Sequence, residues 1–474
     1  MITRARHGKD LPTVTADVAT TVTSDTAGDV DRDAAPGLTI LPRPDTRTTL
    51  VPPPGAAPAP LPGGPGPWPG GPGPWPMHNP VRHYDWGSPR ILAELQHRDP
   101  SGAPEAELWM GAHAADPSGL VLPDGRVVPL NQAMDDDAAA VLGDDAVDRF
   151  GPRLPFLLKV LAVGRALSIQ VHPTGEQAAV GFLAERAARV PASQRVFIDP
   201  YGKPEMLVAA SPFFLLAGLR PQQEIARLLG RLGVPRLGLV LADLAERGPA
   251  SALALLATWP HSDRATLADE LRERAERRLR TAVLDDERTA LTWVLRLADQ
   301  HPRDPLAVSA CLLRLYRLTP GQAVYLPPGV PHAYLSGTGV EITGASDNVI
   351  RGGLTAKHVD GATLTAILDP KAQPLLDVPC TRTAAGHTRW TPPAREFRLS
   401  RIEVHGTCTV SRLPDDRPGP QILLCLDGRV RLDVDGDTRV ELDGGQSAFL
   451  TASRERVTLR GQGTVFRAGV GQEP

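Results

Sequence analysis

The chain is poor in cysteine and has no long apolar run. Its 474 residues contain four cysteines, and no two of them form a C-x-x-C pair. Widely spaced thiols are typical of buried cysteines in a reducing compartment. A membrane-spanning helix would need about 18 consecutive apolar residues, and the N-terminus lacks the charged and apolar regions of a signal peptide. We therefore expect a cytoplasmic protein with no membrane partner.

The chain also lacks a strong excess of charge of either sign. It has 51 basic and 54 acidic residues, which gives a net charge of -3. This balance offers no bulk electrostatic argument for a nucleic-acid partner. The length predicts two or three domains, and the hydrophobic fraction of 42% can support their cores. We expect no nucleic-acid partner, and we expect a monomer.

Residues 1–76 differ in composition from the rest of the chain. They are rich in Thr, Asp, Ala, Pro and Gly, and they end in a tandem repeat, GGPGPWP, at 63–69 and 70–76. Such a segment cannot bury enough apolar surface to offset its chain entropy. We predict a disordered Pro/Gly-rich extension over residues 1–76. Two interpretations are open: a Pro-rich docking arm, or a flexible tail that results from a start codon placed ahead of Met77, which we favour.

Hydrophobic periodicity divides the remaining chain into three kinds of segment. Short β-like runs occupy 77–221, apolar residues recur at helical spacing within 222–313, and strand patterns return from 314 to the end. The pattern predicts a β-rich α+β fold in which residues 77–221 and 314–390 form one barrel, 222–313 a mostly helical insertion, and 391–474 a second barrel. LTPGQAVYLP from Leu318 and LDGGQSAFLT from Leu442 share a Gly-Gln pair before a short apolar strand. This similarity indicates two related barrels, of which only the first leads to a histidine.

One short segment carries side chains suited to a metal. In a strand, alternate side chains share a face, so Ser168, Gln170 and His172 are expected on the same side. A carboxylate follows at Glu205 and a second imidazole at His332. Two imidazoles, a carboxylate and an amide oxygen suit a divalent ion such as zinc. The sequence therefore predicts a metal site in a β-barrel.

Five blocks of sequence, in order, resemble a known family. They are Asn79 with Tyr84-Asp-Trp-Gly-Ser88, Glu107-Leu-Trp-Met-Gly-Ala-His113, Leu154-Pro-Phe-Leu-Leu-Lys159 with Ser168-Ile-Gln-Val-His-Pro173, Lys203-Pro-Glu205, and Pro327 through His332-Ala-Tyr-Leu-Ser-Gly337 to Asp347-Asn-Val-Ile-Arg351-Gly-Gly-Leu354. From about Asn79 to the C-terminus, the chain resembles the type I mannose-6-phosphate isomerases, which are zinc-dependent cupin enzymes. The resemblance implies jelly-roll barrels and one zinc ion per subunit.

The resemblance also implies roles for individual residues. The expected zinc ligands are Gln170, His172, Glu205 and His332. The expected catalytic residues are Arg351 and Lys203, and the expected substrate-binding residues are Trp86, Glu107, Ser168, Lys357 and Asp347. The sequence departs from the family at Tyr201-Gly202, because a histidine usually stands directly before Lys-Pro-Glu. This change puts pocket support and substrate preference in question. For Glu205, a structural ion pair with Lys203 is the alternative role.

The implied reaction interconverts mannose 6-phosphate and fructose 6-phosphate through a cis-enediol. It removes a proton beside a carbonyl and returns it to the neighbouring carbon, while negative charge develops on oxygen. Zinc and the guanidinium of Arg351 would stabilise that charge. Lys203 is expected to transfer the proton, with phosphate binding as its alternative role. Asp347 and Glu341 are candidates for opening the sugar ring.

Two other functions remain open. The first is a non-catalytic cupin that keeps the metal site and binds a sugar phosphate, which the Tyr201-Gly202 departure favours. The second is a cupin oxygenase, in which two histidines and a carboxylate hold iron, although the additional Gln170 ligand disfavours it. We assign no chemistry to His113, which lies in a family block but matches no ligand position.

Overall fold

Strands dominate the chain on both sides of a helical segment. The computed structural model describes residues 68–71, 73–357, 359–382, 387–411, 419–434, 438–452 and 456–472. None of the helices within these ranges is long and apolar enough to cross a membrane. The β-rich α+β fold with a mostly helical insertion is confirmed.

The first part of the chain alternates strands with short helices. Its strands are β1 (Trp75–His78), β2 (Val81–Arg82), β3 (Glu107–Met110), β4 (Gly119–Val121), β5 (Val127–Pro129), β6 (Phe156–Val163), β7 (Ile169–Val171), β8 (Glu205–Ala209) and β9 (Phe213–Leu219). Its helices are α1 (Ile91–Leu95), α2 (Leu130–Asp136), α3 (Ala138–Leu142), α4 (Asp144–Phe150) and α5 (Gly175–Ala187), with a 3₁₀-helix at Ala192–Gln194.

Five longer helices follow, and the chain then returns to strands. The helices are α6 (Gln222–Leu232), α7 (Leu237–Arg247), α8 (Pro249–Ala257), α9 (His261–Leu279) and α10 (Asp285–Gln300), followed by a 3₁₀-helix at Pro305–Cys311. The remaining elements are β10 (Leu313–Leu318), β11 (Ala323–Leu326), β12 (His332–Gly344), β13 (Ile350–Gly353), α11 (Gly361–Ile367), β14 (Cys380–Arg382), β15 (Thr388–Trp390), β16 (Arg398–Ser411), β17 (Gln421–Val434), β18 (Thr438–Asp443), β19 (Ser447–Leu450) and β20 (Arg456–Gly469).

The long strand β12 organises the first barrel. Its beginning pairs with β7 and β9, and its end pairs with β6 and β8. The register shifts between Tyr334 and Ser336, and Gly337 follows with a φ of +124°. A Cβ at Gly337 would lie 2.8 Å from the Cα of Phe213, so only glycine allows this close approach. The bend lets one strand contribute His332 to one side of the barrel and Glu341 to another.

The helical insertion shares its hydrophobic core with the first barrel. In α6 the apolar residues at helical spacing, including Ile225, Leu228 and Leu229, are buried. They belong to the same apolar cluster as Ile169 and Val171 of β7 and Ile350 of β13. The insertion therefore supports the strands that carry the predicted site residues.

The two similar segments found in the sequence form the same turn in the two barrels. Gln322 Oε1 accepts a hydrogen bond of 2.8 Å from the Thr319 N–H. Gln446 Oε1 accepts one of 2.9 Å from the Asp443 N–H. The glycine before each glutamine has a positive φ, +85° at Gly321 and +77° at Gly445. The turns lead into β11 and β19 respectively, which supports two related barrels.

Folded structure extends beyond the boundary that the sequence predicts at residue 76. Strand β1 begins at Trp75, and it pairs with β19 through Trp75 and Pro76 and with β4 through Met77 and His78. Trp68 is buried, and its backbone N–H donates to Asp136 Oδ2 at 2.8 Å. The composition of residues 68–76 did not predict this structure, because two tryptophans bury apolar surface in a segment otherwise made of Pro and Gly. The disorder predicted for residues 1–67 lies outside the described residues.

Candidate metal centre and active site

Three buried side chains meet at one end of the first barrel. His172 follows β7, Glu205 begins β8 and His332 begins β12. The Nε2 atoms of His172 and His332 lie 3.2 Å from Glu205 Oε1 and 3.2 Å from Oε2, respectively. The ligand atoms of the three residues lie within 4.8 Å of one another. The structure therefore brings together three of the four predicted ligands around one point.

The orientation of the two imidazoles fits a bound cation. The Nδ1–H of His172 donates to the Asn348 carbonyl at 2.7 Å, and that of His332 donates to the Val330 carbonyl at 3.0 Å. Because a carbonyl can only accept, each Nδ1 carries the proton. Burial lowers the pKa of His172 to about 4, so its Nε2 lone pair faces the carboxylate of Glu205 without a hydrogen bond. A divalent cation among the three groups would turn this repulsion into ligation.

The fourth predicted ligand lies beside the cluster. Gln170 in β7 is paired directly with His332 of β12 on one side and with Arg351 of β13 on the other. Directly opposed residues in antiparallel strands point to the same face. The Gln170 Nε2 donates to Ser168 Oγ at 3.4 Å, which leaves the amide oxygen available as a ligand. Ligation by Gln170 and substrate binding by Ser168 remain predictions.

A buried lysine that the sequence analysis did not assign completes the charged lining. Lys159 of β6 lies with its Nζ 3.2 Å from Glu341 Oε2 and 3.5 Å from Glu107 Oε2. The Trp109 indole N–H donates to the same Glu107 oxygen. Burial alone would lower the pKa of Lys159, but the two carboxylates outweigh it and the pKa is raised, so the ammonium stays charged. The sequence does carry a signal for this site: Lys159 interrupts the apolar run Phe156–Val163, and a lysine is rarely buried without a partner of opposite charge.

Lys203 lies on the other side of the glutamate ligand. Its Nζ is 3.3 Å from Glu205 Oε1, and the side chain is buried. The ion pair that we considered as an alternative for Glu205 is therefore present. It does not exclude metal binding, since the same carboxylate also faces both imidazoles.

Two cations without a carboxylate partner follow on β13 and the loop after it. Arg351 is partly buried and Lys357 is exposed, and neither side chain makes an ion pair with any residue that the structure describes. Burial lowers the pKa of Arg351. Burial and the charge of Arg351 together lower the pKa of Lys357. Such a pair is suited to an anionic group of a substrate, above all a phosphate.

The remaining predicted substrate residues lie near this lining with different degrees of exposure. Trp86 stacks on Tyr84 with the ring centroids 5.8 Å apart. Glu107 is buried in the pair with Lys159 described above. Asp347 is half exposed, and its Oδ1 accepts a hydrogen bond of 2.7 Å from His113 Nε2. Their contacts with substrate remain predictions.

The departure at Tyr201-Gly202 has a steric explanation. A Cβ at Gly202 would lie 2.7 Å from the backbone nitrogen of Gly175, the first residue of α5. Helix α5 therefore occupies the space that a side chain at position 202 would need. The Tyr201 ring lies 3.5 Å from the guanidinium carbon of Arg153. In this chain no side chain can enter the site from position 202 unless α5 shifts.

The fold and the site together define a cupin protein with a candidate metal centre and a neighbouring cationic region. A family model described as phosphomannose isomerase type I, catalytic domain, matches residues 75–222. The chain is 34% identical over 403 residues to mannose-6-phosphate isomerase of Shigella flexneri, covering 82% of this chain and 97% of that protein. It is 32% identical over 415 residues to mannose-6-phosphate isomerase 1 of Arabidopsis thaliana, covering 82% and 92%. The chain belongs to the type I mannose-6-phosphate isomerase family.

Solved structures support the same assignment. A variant of phosphomannose isomerase from Salmonella typhimurium superposes with a TM-score of 0.74 at 28% identity, over 84% of this chain and 99% of that one. A zinc-bound mannose 6-phosphate isomerase gives a TM-score of 0.72 at 29% identity, with the same coverage of both chains. The cupin fold is therefore shared over nearly the whole length of these relatives.

Proposed function

We propose that this chain is a zinc-dependent isomerase that interconverts mannose 6-phosphate and fructose 6-phosphate through a cis-enediol. The observation that carries this proposal is the buried cluster of His172, Glu205 and His332, with both Nε2 atoms directed at one carboxylate. The membership of the family supports the substrate. The zinc-bound relative supports the choice of metal.

The residues around the cluster account for binding and proton transfer. Zinc held by His172, Glu205, His332 and Gln170 would supply a Lewis acid for a substrate oxygen. Arg351 and Lys357 offer fixed positive charge to the phosphate or to a developing oxyanion. Lys203, buried beside the cluster, is placed to move a proton between C1 and C2 of the open-chain sugar.

Ring opening needs a second proton transfer, for which two carboxyl groups are available. Burial raises the pKa of Glu341, although the charge of Lys159 opposes the shift, and Glu341 is the first candidate for this transfer. The hydrogen bond from His113 lowers the pKa of Asp347, which favours it as an ionised acceptor. Protonated Lys159 lies 3.2 Å from Glu341 and adds a fixed positive charge to the same region.

The decisive experiment is conversion of mannose 6-phosphate by the purified chain, with chelator and then with added zinc. We expect turnover that chelation abolishes and zinc restores. Glu205→Gln should lose zinc and activity together, because the amide carries no charge for the metal. A folded, zinc-loaded wild-type chain that binds the sugar phosphate without converting it would establish the non-catalytic cupin instead.

A second variant tests the role of Lys203. Lys203→Met should abolish turnover while one zinc ion per subunit is still measured by metal analysis, because the metal ligands are intact. Full activity in this variant would remove Lys203 from the mechanism. A rise in KM with kcat unchanged would assign Lys203 to phosphate binding.

We further propose a cytoplasmic monomer. The four cysteines carry free thiols, which fits a reducing compartment. Light scattering on the eluting peak of a size-exclusion column tests the oligomeric state, with 50.6 kDa expected for one chain.

A further inference from the structure

A histidine to which the sequence analysis gave no chemistry joins two distant segments at the rim of the site. His113 follows β3, and Asp347 lies in the loop between β12 and β13. The His113 Nε2 lies 2.7 Å from Asp347 Oδ1, across 234 positions of sequence. The His113 side chain is 15% exposed and that of Asp347 is 50% exposed. A polar contact over such a distance is an arrangement that the fold maintains.

The backbone fixes which nitrogen of His113 carries the proton. The N–H of Ala115 donates to His113 Nδ1 at 3.2 Å. Nδ1 is therefore the acceptor, and the proton of the neutral ring is on Nε2, which donates to Asp347. The ring of Trp109 packs against the imidazole with the centroids 4.6 Å apart. The donor is thus oriented by a hydrogen bond on one side and a ring contact on another.

The contact is continuous with the charged lining of the site. Lys159 Nζ lies 5.5 Å from the centroid of the Trp109 ring that packs on His113. The Asp347 N–H donates to Asp199 Oδ2 at 2.7 Å. The carbonyl of the next residue, Asn348, accepts a hydrogen bond from Nδ1 of His172 in the metal cluster. Asp347 is therefore connected to the metal cluster through Asn348, and to Lys159 through His113 and Trp109.

Only one oxygen of the Asp347 carboxylate is occupied. Oδ1 accepts from His113, while Oδ2 has no hydrogen-bond partner among the residues that the structure describes. The side chain is half exposed, so the second oxygen is open to a ligand. A carboxylate held by one oxygen presents the other in a defined direction to a sugar hydroxyl.

We propose that His113 is a positioning residue, which holds Asp347 so that its second carboxylate oxygen accepts a hydrogen bond from a hydroxyl of the sugar substrate. The proposal rests on the proposed isomerase function. The competing explanation is structural: His113 would only tie the loop at 346–348 to β3 and keep Asn348 in place beside His172.

Two substitutions of similar size separate these explanations. In His113→Gln the side-chain amide nitrogen occupies the place of Nε2 and can still donate to Asp347. In His113→Asn the amide reaches only as far as Nδ1, so the contact with Asp347 is lost. Each is made in the wild-type chain and in Asp347→Asn, and kcat, KM, zinc content and melting temperature are measured.

We expect His113→Asn to lower kcat/KM about 10- to 100-fold, the cost of losing one hydrogen bond to a charged group. His113→Gln should stay within about threefold of wild type, because the donor is retained. In the Asp347→Asn background, His113→Asn should have almost no further effect, since two residues that act through one contact are not additive. Zinc content and melting temperature should stay near wild type in all variants.

The pH profile supplies a readout that a purely structural tie would not move. The hydrogen bond from His113 is the largest cause that lowers the pKa of Asp347, and burial opposes it. When protonated, His113 also lowers this pKa through its charge, and Lys203 and Lys159 add smaller effects that are the same in every variant. His113→Asn should therefore move the acidic limb of kcat/KM to higher pH by more than His113→Gln, which loses the charge of the ring but keeps the hydrogen bond.

The outcomes separate the positioning role of His113 from the proposed isomerase function of the chain. Equal losses in His113→Asn and His113→Gln, additive losses with Asp347→Asn, or a loss explained by zinc release would overturn the positioning role. An inactive wild-type chain would instead overturn the proposed function. In that case a carboxyl ¹³C titration still decides the contact, since the pKa of Asp347 must rise more in His113→Asn than in His113→Gln.

Discussion

Lys159 shows how one buried residue links stability and chemistry. Its ammonium lies between the carboxylates of Glu107 and Glu341. Its positive charge offsets the free-energy cost of burying these two acids. Removal of the charge leaves both acids without a counterion and removes a fixed positive charge from the lining of the candidate site. The residue therefore has to be tested for activity and stability separately.

We expect Lys159→Met to lower kcat/KM by at least about 100-fold, the range for removal of one electrostatic stabiliser from an active site. The zinc ligands are unchanged, so zinc content should stay at one ion per subunit. Circular dichroism must show folded protein at the assay temperature, since a broken buried pair costs about 3–5 kcal/mol. Lys371→Met removes an exposed lysine and is the control. Wild-type kcat/KM in Lys159→Met would exclude Lys159 from the reaction.

At this scale the sequence predicted which candidate ligands meet, but it missed residues that surround them. The alternation in Ser168–His172 and the two distant blocks identified His172, Glu205 and His332, which meet in the structure, while their ligation of a metal stays a prediction. Lys159 and His113 were missed because their partners, Glu341 and Asp347, lie far away in sequence. Periodicity gives the face of a strand, but the pairing register decides which charges face each other.

At the scale of elements, the helical insertion contains a buried acid that joins three helices. Glu287 in α10 bonds Arg278 of α9 at 2.6 Å and Arg231 of α6 at 2.7 Å. Its side chain is 1% exposed, whereas that of its neighbour Asp286, which pairs with Arg227, is 46% exposed. The two adjacent acids thus form a matched pair, one buried and one on the surface.

We expect Glu287→Gln to lower the free energy of unfolding by about 1–3 kcal/mol and Asp286→Asn by less than about 1 kcal/mol. The arginine hydrogen bonds hold the pKa of Glu287 below its usual value. The stabilisation is therefore present above the ordinary pKa of a glutamate and is lost as the pH falls through the lowered one. The free energy of unfolding, measured with urea at neutral pH and at pH 3, checks both the sizes of the two effects and their dependence on pH. Equal effects of the two substitutions would contradict the role of burial.

Elements with strong periodicity were predictable, whereas strand β1 was not. The apolar spacing of Ile225, Leu228 and Leu229 predicted α6, and these residues are buried. Strand β1 has no such pattern, because its residues Trp75 and Pro76 end a Pro/Gly repeat. It becomes a strand through pairing with Phe449 and Ala448, more than 370 positions away, and local composition carries no signal of such a partner.

At the scale of the whole molecule, β1 joins the sheet of the second barrel to the hairpin formed by β4 and β5. Trp75 and Pro76 pair with β19 of the second barrel, while Met77 and His78 pair with β4 in the first part of the chain. The rings of Trp68 and Trp75 lie 4.9 Å apart, and Trp68 belongs to the apolar cluster that also contains Trp390 and Phe397. A chain that begins at Met77 would keep one half of this connection and lose the other.

Two chains that begin at Trp68 and at Met77 isolate the contribution of residues 68–76. We expect the shorter chain to melt about 5–10 °C lower, because a buried tryptophan contributes about 3–5 kcal/mol and strand pairing with β19 is lost. Trp68→Ala in the full chain provides the control, with a smaller fall in melting temperature, because β1 stays paired with β19. Identical melting curves for the two shortened chains would show that the fold is complete from Met77, as the composition alone predicts.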